Sequence, residues 1–419
     1  MEFPSLVYRL KMLLNRLRKF SSLADQLLVS GGNFLTIAIC AHALPLSEQG
    51  KFTYVFASYM ALLLLNVAGI FQGAAVRAPV QDSSYRISLA RLQLLQAFLL
   101  SLLVCAAWFW AGNLFSWQTT ATEVALMFAF LIVQQLADFY RRSAYIFSGT
   151  RKAIYSSAAL YPLRVVGLFI IRPDTVSQVM LVLILSALIP AIPTIFIASR
   201  SKSDGTPSWT STIKEHLAYS RLFIAGAPLG WLWAYIPIFM LGTMHGKEQA
   251  ALLASIRGIS NIANVLMEQI ETKVVADWAR VRHGNGPLVL EAAVSRLLKI
   301  GGALWLSGMA VLMVFGKEIV ALILGNLYAP YWHLLVIGWL GYGVYFIARV
   351  SGIKHRTLGA NHVEFIGNFS GVLVAVVAGF VMIPGLKATG AAWVYVIIAA
   401  VMWISQMLAL KNGRYFQNE

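Results

Sequence analysis

About twelve stretches of the chain are each long and apolar enough to cross a lipid bilayer, and that single feature excludes most folds. They cover residues 24–44, 53–76, 90–112, 123–147, 154–171, 176–198, 222–243, 249–270, 293–315, 331–350, 363–383 and 389–410. A spanning helix needs about 20 mostly apolar residues, which each window supplies or approaches. Transmembrane strands would show ten-residue alternating segments, and these windows are continuous apolar runs. Hydrophobic residues make up 59% of the 419 and charged residues 12%. A soluble domain carries roughly 45–50% and about 25%, so burial in a water-solvated core cannot account for the excess. The fold class is all-α and polytopic. Residues 317–330, with Gly325 and Pro330, are expected to form a loop or interfacial turn.

The formal charge of +16 invites a nucleic-acid partner, but its distribution points to topology. With the N-terminus in the cytoplasm, 25 of the 33 Lys and Arg fall at the cytoplasmic face. Only Lys51, Arg172, Lys247, Lys317 and Lys387 fall at the other. By the positive-inside rule both termini are expected to be cytoplasmic, and no nucleic acid is needed to explain the charge. Residues 1–23 place Leu6, Leu10, Leu13, Leu14 and Leu17 at helical spacing among Arg and Lys, which suits a helix lying on an anionic leaflet. Those basic residues interrupt every candidate signal-peptide core, so no cleaved leader is expected. Cys40 and Cys105 fall inside spans and are expected to be small apolar core residues, with no disulfide or metal site.

Windows one to six and seven to twelve flank the most polar connection, residues 199–221. The expected organisation is a cytoplasmic segment 1–23, a six-helix lobe 24–198, a linker 199–221, a second lobe 222–410 and a tail 411–419. Weak self-similarity supports a six-plus-six repeat. Glu48-Gln49 and Glu248-Gln249 each precede a span, and Gly149 and Gly359 occupy equivalent loops. In transporters built from repeats, the substrate site lies near the midplane at the repeat interface.

The stretch ILGNLYAPYWHLLVIGWLGY (323–342) and FVMIPGLKATGAAWVYVIIAAVMWI (380–404) resemble the polysaccharide flippases of the MOP exporter superfamily. The likeness rests on Gly325 to Tyr328, on Ile383-Pro384 followed by Gly390-Ala391-Ala392, and on the first span with its outer turn, residues 25–52. It implies two pseudo-symmetric six-helix lobes around a central cavity, in a bacterial cytoplasmic membrane. The implied task is moving a polyprenyl-pyrophosphate-linked oligosaccharide, an O-antigen or exopolysaccharide repeat unit, from the inner to the outer leaflet. A polysaccharide polymerase and glycosyltransferases are the implied partners beside membrane lipids. The chain length matches the twelve-helix members rather than the fourteen-helix peptidoglycan-precursor flippases.

Polar stripes inside the spans are the candidate site. In the eighth window Arg257, Asn261, Asn264 and Glu268 follow at spacings of four, three and four, which puts them on one helix face. A charged side chain facing lipid costs from ~3 to more than 10 kcal/mol, so it should face a cavity or a partner. Arg257 lies about 12 Å into a ~30 Å core when counted from Gln249, and Arg164 lies at a similar depth. Ser157, Tyr161 and Arg164 form a second stripe; Gln26, Ser30 and Asn33, beside Gly31-Gly32, form a third. Arginine's planar fork suits the phosphate oxygens, and the Asn amides suit sugar hydroxyls. The structural alternative for Arg257 is an internal salt bridge with Asp25 or Glu268. Pro228 and Pro237 make the seventh window the hinge candidate, and Trp231, Trp233 and Tyr235 offer ring faces to sugars or simply pack. Asp138 with Arg141 and Arg142 is expected to be a structural ion pair.

No phosphate loop, His-Glu-x-x-His or Gly-x-Ser-x-Gly occurs; GTMHGK (242–247) is one residue short of a phosphate loop. The expected protein is a transporter without cofactor or metal. Coupling to a proton or sodium gradient would use Asp25 and Glu268. Two alternatives stay open: a cation-coupled multidrug antiporter of the same superfamily, and a membrane-embedded glycan ligase or polymerase.

Overall fold

The computed structural model describes residues 24–77, 83–114, 119–200, 209–264 and 287–412 apart from Gly359 and Asn361, with Met267, Glu271, Val274 and Trp278 between. The basic segment 1–23, Glu268, Gly359 and most of the tail, all singled out above, lie outside the described residues. Everything described is helix, turn or short connection, with no strand.

The helices are α1 (Ala24–Ala43), α2 (Leu46–Asn66), α3 (Gln72–Arg77), α4 (Ser83–Leu114), α5 (Ala121–Phe147), α6 (Thr150–Ile171), α7 (Val176–Ser199) and α8 (Trp209–His245). They continue with α9 (Lys247–Ser260), α10 (Pro287–Leu324), α11 (His333–Thr357) and α12 (His362–Asn412). Ten described helices are long and apolar enough to span a bilayer. The twelve windows reduce to ten because α12 merges two of them and the eighth extends beyond α9 into residues only partly described.

Several boundaries differ from the sequence reading. The stretch 317–330 is not a loop throughout, because α10 runs on to Leu324. It stops where Gly325 takes φ +98°, a conformation without penalty only for glycine, and a 3₁₀ turn Ala329–Tyr331 follows. Windows eleven and twelve are separate helices, as read: the non-helical Lys387, φ +51°, divides α12 between them. Within the polar connection 199–221, residues 209–221 form the first turns of α8. The second span begins at Leu46 and passes through a π turn, Val67–Phe71, into α3.

The chain divides into two compact units, Met1–Leu44 with Val55–Ala227 and Pro45–Tyr54 with Pro228–Glu419. One division falls inside α2 and the other inside α8, at Pro228. In the first unit α5 is the central helix. Gln134 Nε2 donates to the Leu183 carbonyl at 3.0 Å, and Thr194 Oγ1 donates to the Leu136 carbonyl at 2.8 Å, tying α5 to α7. Without a hydrophobic drive between helices in lipid, such bonds and close packing hold them together. The capping box of Thr120 and Glu123 starts α5. At the π turn, His216 of α8 is wholly buried, its Nε2 2.8 Å from the Gly69 carbonyl and its Nδ1 2.8 Å from the Tyr85 hydroxyl. Because a carbonyl only accepts, Nε2 carries the proton and Nδ1 accepts from Tyr85.

The second unit has a reciprocal tryptophan pair. Trp305 Nε1 donates to the Trp339 carbonyl at 2.9 Å, and Trp339 Nε1 donates to the Trp305 carbonyl at 3.0 Å. The rings lie on glycines: a Cβ at Gly343 would meet Trp305 Nε1 at 2.1 Å, and one at Gly308 would meet Trp339 Cζ2 at 2.5 Å. The N-terminal turns of α2 and α9 also pack together here. Gly50 lies against the Lys247 backbone, and Gln49 Nε2 donates to Ser255 Oγ at 3.0 Å. Large apolar side chains left exposed, such as Leu103, Phe169, Val314 and Leu322, are what a bilayer would solvate.

Candidate functional site

Each unit carries its own polar site, and the two are built differently. In the first, Asp25 at the start of α1 is 1% exposed. Its carboxylate accepts from Arg141 Nη1 at 3.1 Å, from the Tyr145 hydroxyl at 2.7 Å and from the Ser157 hydroxyl. Asp138 accepts from Arg141 Nη2 at 2.9 Å and Arg142 Nε at 2.7 Å, the expected pair at i+3 and i+4. Arg141 therefore bridges two carboxylates with both arms of its fork.

One turn deeper, Arg164 is 2% exposed and no carboxylate among the described residues pairs with it. Its Nη1 donates to Asn33 Oδ1 at 3.1 Å, its Nη2 to Gln134 Oε1 at 2.8 Å, and its guanidinium lies 5.0 Å from the Tyr161 ring centroid. Tyr161 in turn packs on the Gly32 backbone, where a Cβ would be 2.5 Å from its Cδ1. Gln26 Nε2 donates to Ser30 Oγ at 3.3 Å. Asp25, Asn33, Tyr161 and Arg164 come together. Arg164 turns Nη1 and Nη2 to neutral amides and leaves its buried Nε without a hydrogen-bond partner. A small cleft of about 10 Å³ beside it is lined by Tyr59, Gln134, Asp138, Arg141, Ser157 and Tyr161, among others.

In the second unit Arg257, on the last turn of α9, lines a cleft of about 40 Å³ with Trp233, Gly338, Gly341, Tyr342, Tyr345, Tyr395 and Ala399. Arg257 Nη1 donates to the Ala234 carbonyl at 2.6 Å and to the Tyr395 hydroxyl at 3.2 Å. Its guanidinium carbon lies 4.4 Å from the Tyr395 ring centroid and 5.7 Å from that of Tyr235. No carboxylate among the described residues pairs with it; Asp25, one candidate partner, belongs to Arg141. Asn261 is exposed at the end of α9 and accepts from the Tyr342 hydroxyl at 3.0 Å, while Asn264 is half-buried. Ile259, on the opposite face, is buried.

Tyr345 extends the site toward a charged network. Its hydroxyl accepts from Arg349 Nη1 at 2.8 Å; Arg349 and Arg356 both pair with Glu271, and Arg356 reaches Glu364 at 3.2 Å. Trp233 packs on Tyr345, centroids 5.3 Å apart, and donates its Nε1 proton to Asn368 Oδ1 at 3.2 Å. Trp231 stacks on Tyr235 with centroids 5.6 Å apart. Both Pro228 and Pro237 lie inside α8. Sequence reasoning missed Tyr342, Tyr345 and Tyr395. The run Gly-Tyr-Gly-Val-Tyr at 341–345 was the available signal, small residues alternating with rings that can face one cleft.

No family profile and no curated protein sequence matches the chain. Solved structures do. An inward-facing multidrug resistance MATE family transporter of the MOP superfamily matches with a TM-score of 0.74 at 15% identity, over 92% of this chain and 94% of that one. The lipid II flippase MurJ, in an inward closed conformation, matches with a TM-score of 0.71 at 11% identity, over 94% and 87%. A variant of the Vibrio cholerae MATE transporter VcmN matches at 0.62 and 13%, over 95% and 97%. The molecule is a multi-pass helical membrane protein with the fold of the MOP-superfamily transporters.

Proposed function

We propose that this chain is a flippase that carries a polyprenyl-pyrophosphate-linked oligosaccharide across the cytoplasmic membrane to its outer leaflet, for surface polysaccharide synthesis. The observation that carries the reading is the Arg257 cleft: a guanidinium with no carboxylate partner among the described residues, walled by Trp233, Tyr342, Tyr345 and Tyr395. A fixed cation meets the pyrophosphate charge that would otherwise have to cross hydrocarbon. Aromatic faces meet the apolar C–H faces of a sugar, and Asn261 with Tyr342 adds hydrogen-bonding groups at the rim. The MurJ likeness supports lipid-linked cargo, and the MATE likenesses support alternating access.

The multidrug reading draws on the MATE likenesses and on Asp25, a carboxylate inside the fold. It is the weaker reading because an arginine with no carboxylate partner among the described residues repels the organic cations such an antiporter binds. Asp25 and Glu268 are retained as the proton- or sodium-coupling candidates.

The test is a deletion strain complemented with wild-type or Arg257→Ala protein. Lipid-linked repeat units should accumulate on the cytoplasmic leaflet in the deletion and with the variant, while tolerance to cationic drugs stays unchanged. Drug sensitivity without glycolipid accumulation would select the antiporter instead.

A further inference from the structure

Resting on the pyrophosphate reading of the cleft, we infer that Arg257 is also the clasp of α8, and that anionic cargo opens the clasp by taking the guanidinium away from the Ala234 carbonyl. The inference begins with Pro237. A proline removes the N–H that would close the turn onto residue i−4, so the Trp233 carbonyl loses its helical partner. Broken turns inside a membrane must be re-satisfied by neighbouring groups. The adjoining Ala234 carbonyl, whose i+4 residue Ile238 is no proline, is the one that receives two side-chain donors from other helices: Arg257 Nη1 of α9 at 2.6 Å and the Tyr395 hydroxyl of α12 at 2.8 Å. The same Nη1 donates to Tyr395 at 3.2 Å, so guanidinium, hydroxyl and carbonyl close a three-membered ring of contacts on the weakened turn.

Nη1 already serves two oxygens in this arrangement, so a ligand taken through the Nη1–Nη2 fork competes with both of them. A phosphate taken bidentately by that fork must displace the Ala234 carbonyl, and a charge-assisted pair outcompetes a neutral acceptor. Cargo binding and the release of α8 at Pro237 become one event. Tyr395 is then a positioning residue: it holds Arg257 in the clasped state without being the ligand. Trp233, one residue before Ala234 and itself a wall of the cleft, moves with the turn that is freed.

The test uses full-length protein in nanodiscs with geranyl pyrophosphate as probe and geraniol as the uncharged control. Amide exchange over residues 234–241 should rise severalfold with geranyl pyrophosphate and not with geraniol, the reverse of ordinary ligand protection. Tyr395→Phe keeps the ring and removes the hydroxyl. It should exchange faster there without ligand and bind the probe about two- to ten-fold tighter, since one competing hydrogen bond is gone. Weaker binding by Tyr395→Phe would make Tyr395 a direct ligand and overturn the clasp. Arg257-dependent binding accompanied by slower exchange at 234–241 would also overturn it while leaving the pyrophosphate reading intact. Absence of Arg257-dependent probe binding would end both.

Discussion

The first unit buries its arginines among acids and amides, whereas the second sets one arginine among aromatic rings beside open space. Arg141 is spent on Asp25 and Asp138, and Arg164 on Asn33 and Gln134. Arg257 has a backbone carbonyl and a phenol for partners and faces a cleft. The same residue type at similar sequence depth therefore does opposite work. Arg141, held by two carboxylates, cements helices, whereas Arg257, held by neutral oxygens, can exchange them for an anion. Which of these a transmembrane arginine becomes depends on what the neighbouring helices present.

Six substitutions test that contrast, taken from the largest effect downward. Arg141→Ala strips two buried carboxylates of their shared partner and should cost about 3–5 kcal/mol, enough to lose most folded protein in size-exclusion profiles of the detergent extract. A monodisperse, thermally unchanged Arg141→Ala would show that the first cluster is not structural. Gly343→Ala forces a methyl group to within 2.1 Å of Trp305 Nε1. It should lower the melting temperature at a cost of about 1–3 kcal/mol through overpacking. Gly302→Ala, where nothing lies within 4 Å, is the matched control and should not destabilise.

Arg257→Ala should leave the melting temperature within a few degrees of wild type yet abolish export of surface polysaccharide. Arg257→Lys should recover only part, because an ammonium offers no bidentate fork. If Arg257→Ala unfolds as Arg141→Ala does, the contrast between the two sites collapses. The smallest effect belongs to Asn261→Ala at the exposed rim, which loses the Tyr342 bond. Export should fall only a few-fold, in line with about 1 kcal/mol for one hydrogen bond, when polymer is quantified on whole cells.

Much of the fold was legible because lipid imposes a plain rule: each crossing must be a helix of about 20 apolar residues. The ends were less so. Gly325 could be suspected from its identity, but nothing about Lys387 marks it as the residue that breaks α12. Residues 209–221 looked like a linker because they are polar, and they are helical because His216, Tyr85 and the π turn at Gly69 hold them down. At the sites, periodicity identified Asp25, Arg164 and Arg257 as residues with something to face. It did not pair them. Asp25 was matched with Arg257 as one option and instead meets Arg141, 116 residues away.

What the amino-acid order determined alone is the all-helical, membrane-spanning class and which polar residues share a helix face, since both follow from local composition and helical period. Which arginine is closed and which faces open space was decided only by the tertiary structure. Asn33 and Gln134 reach Arg164 from α1 and α5, and Tyr342, Tyr345 and Tyr395 reach the Arg257 cleft from α11 and α12. Those partners lie between 30 and 138 residues from the arginine they meet, where the contacts are recorded. Helical periodicity says which way a side chain points on its own helix, and only packing says what waits there.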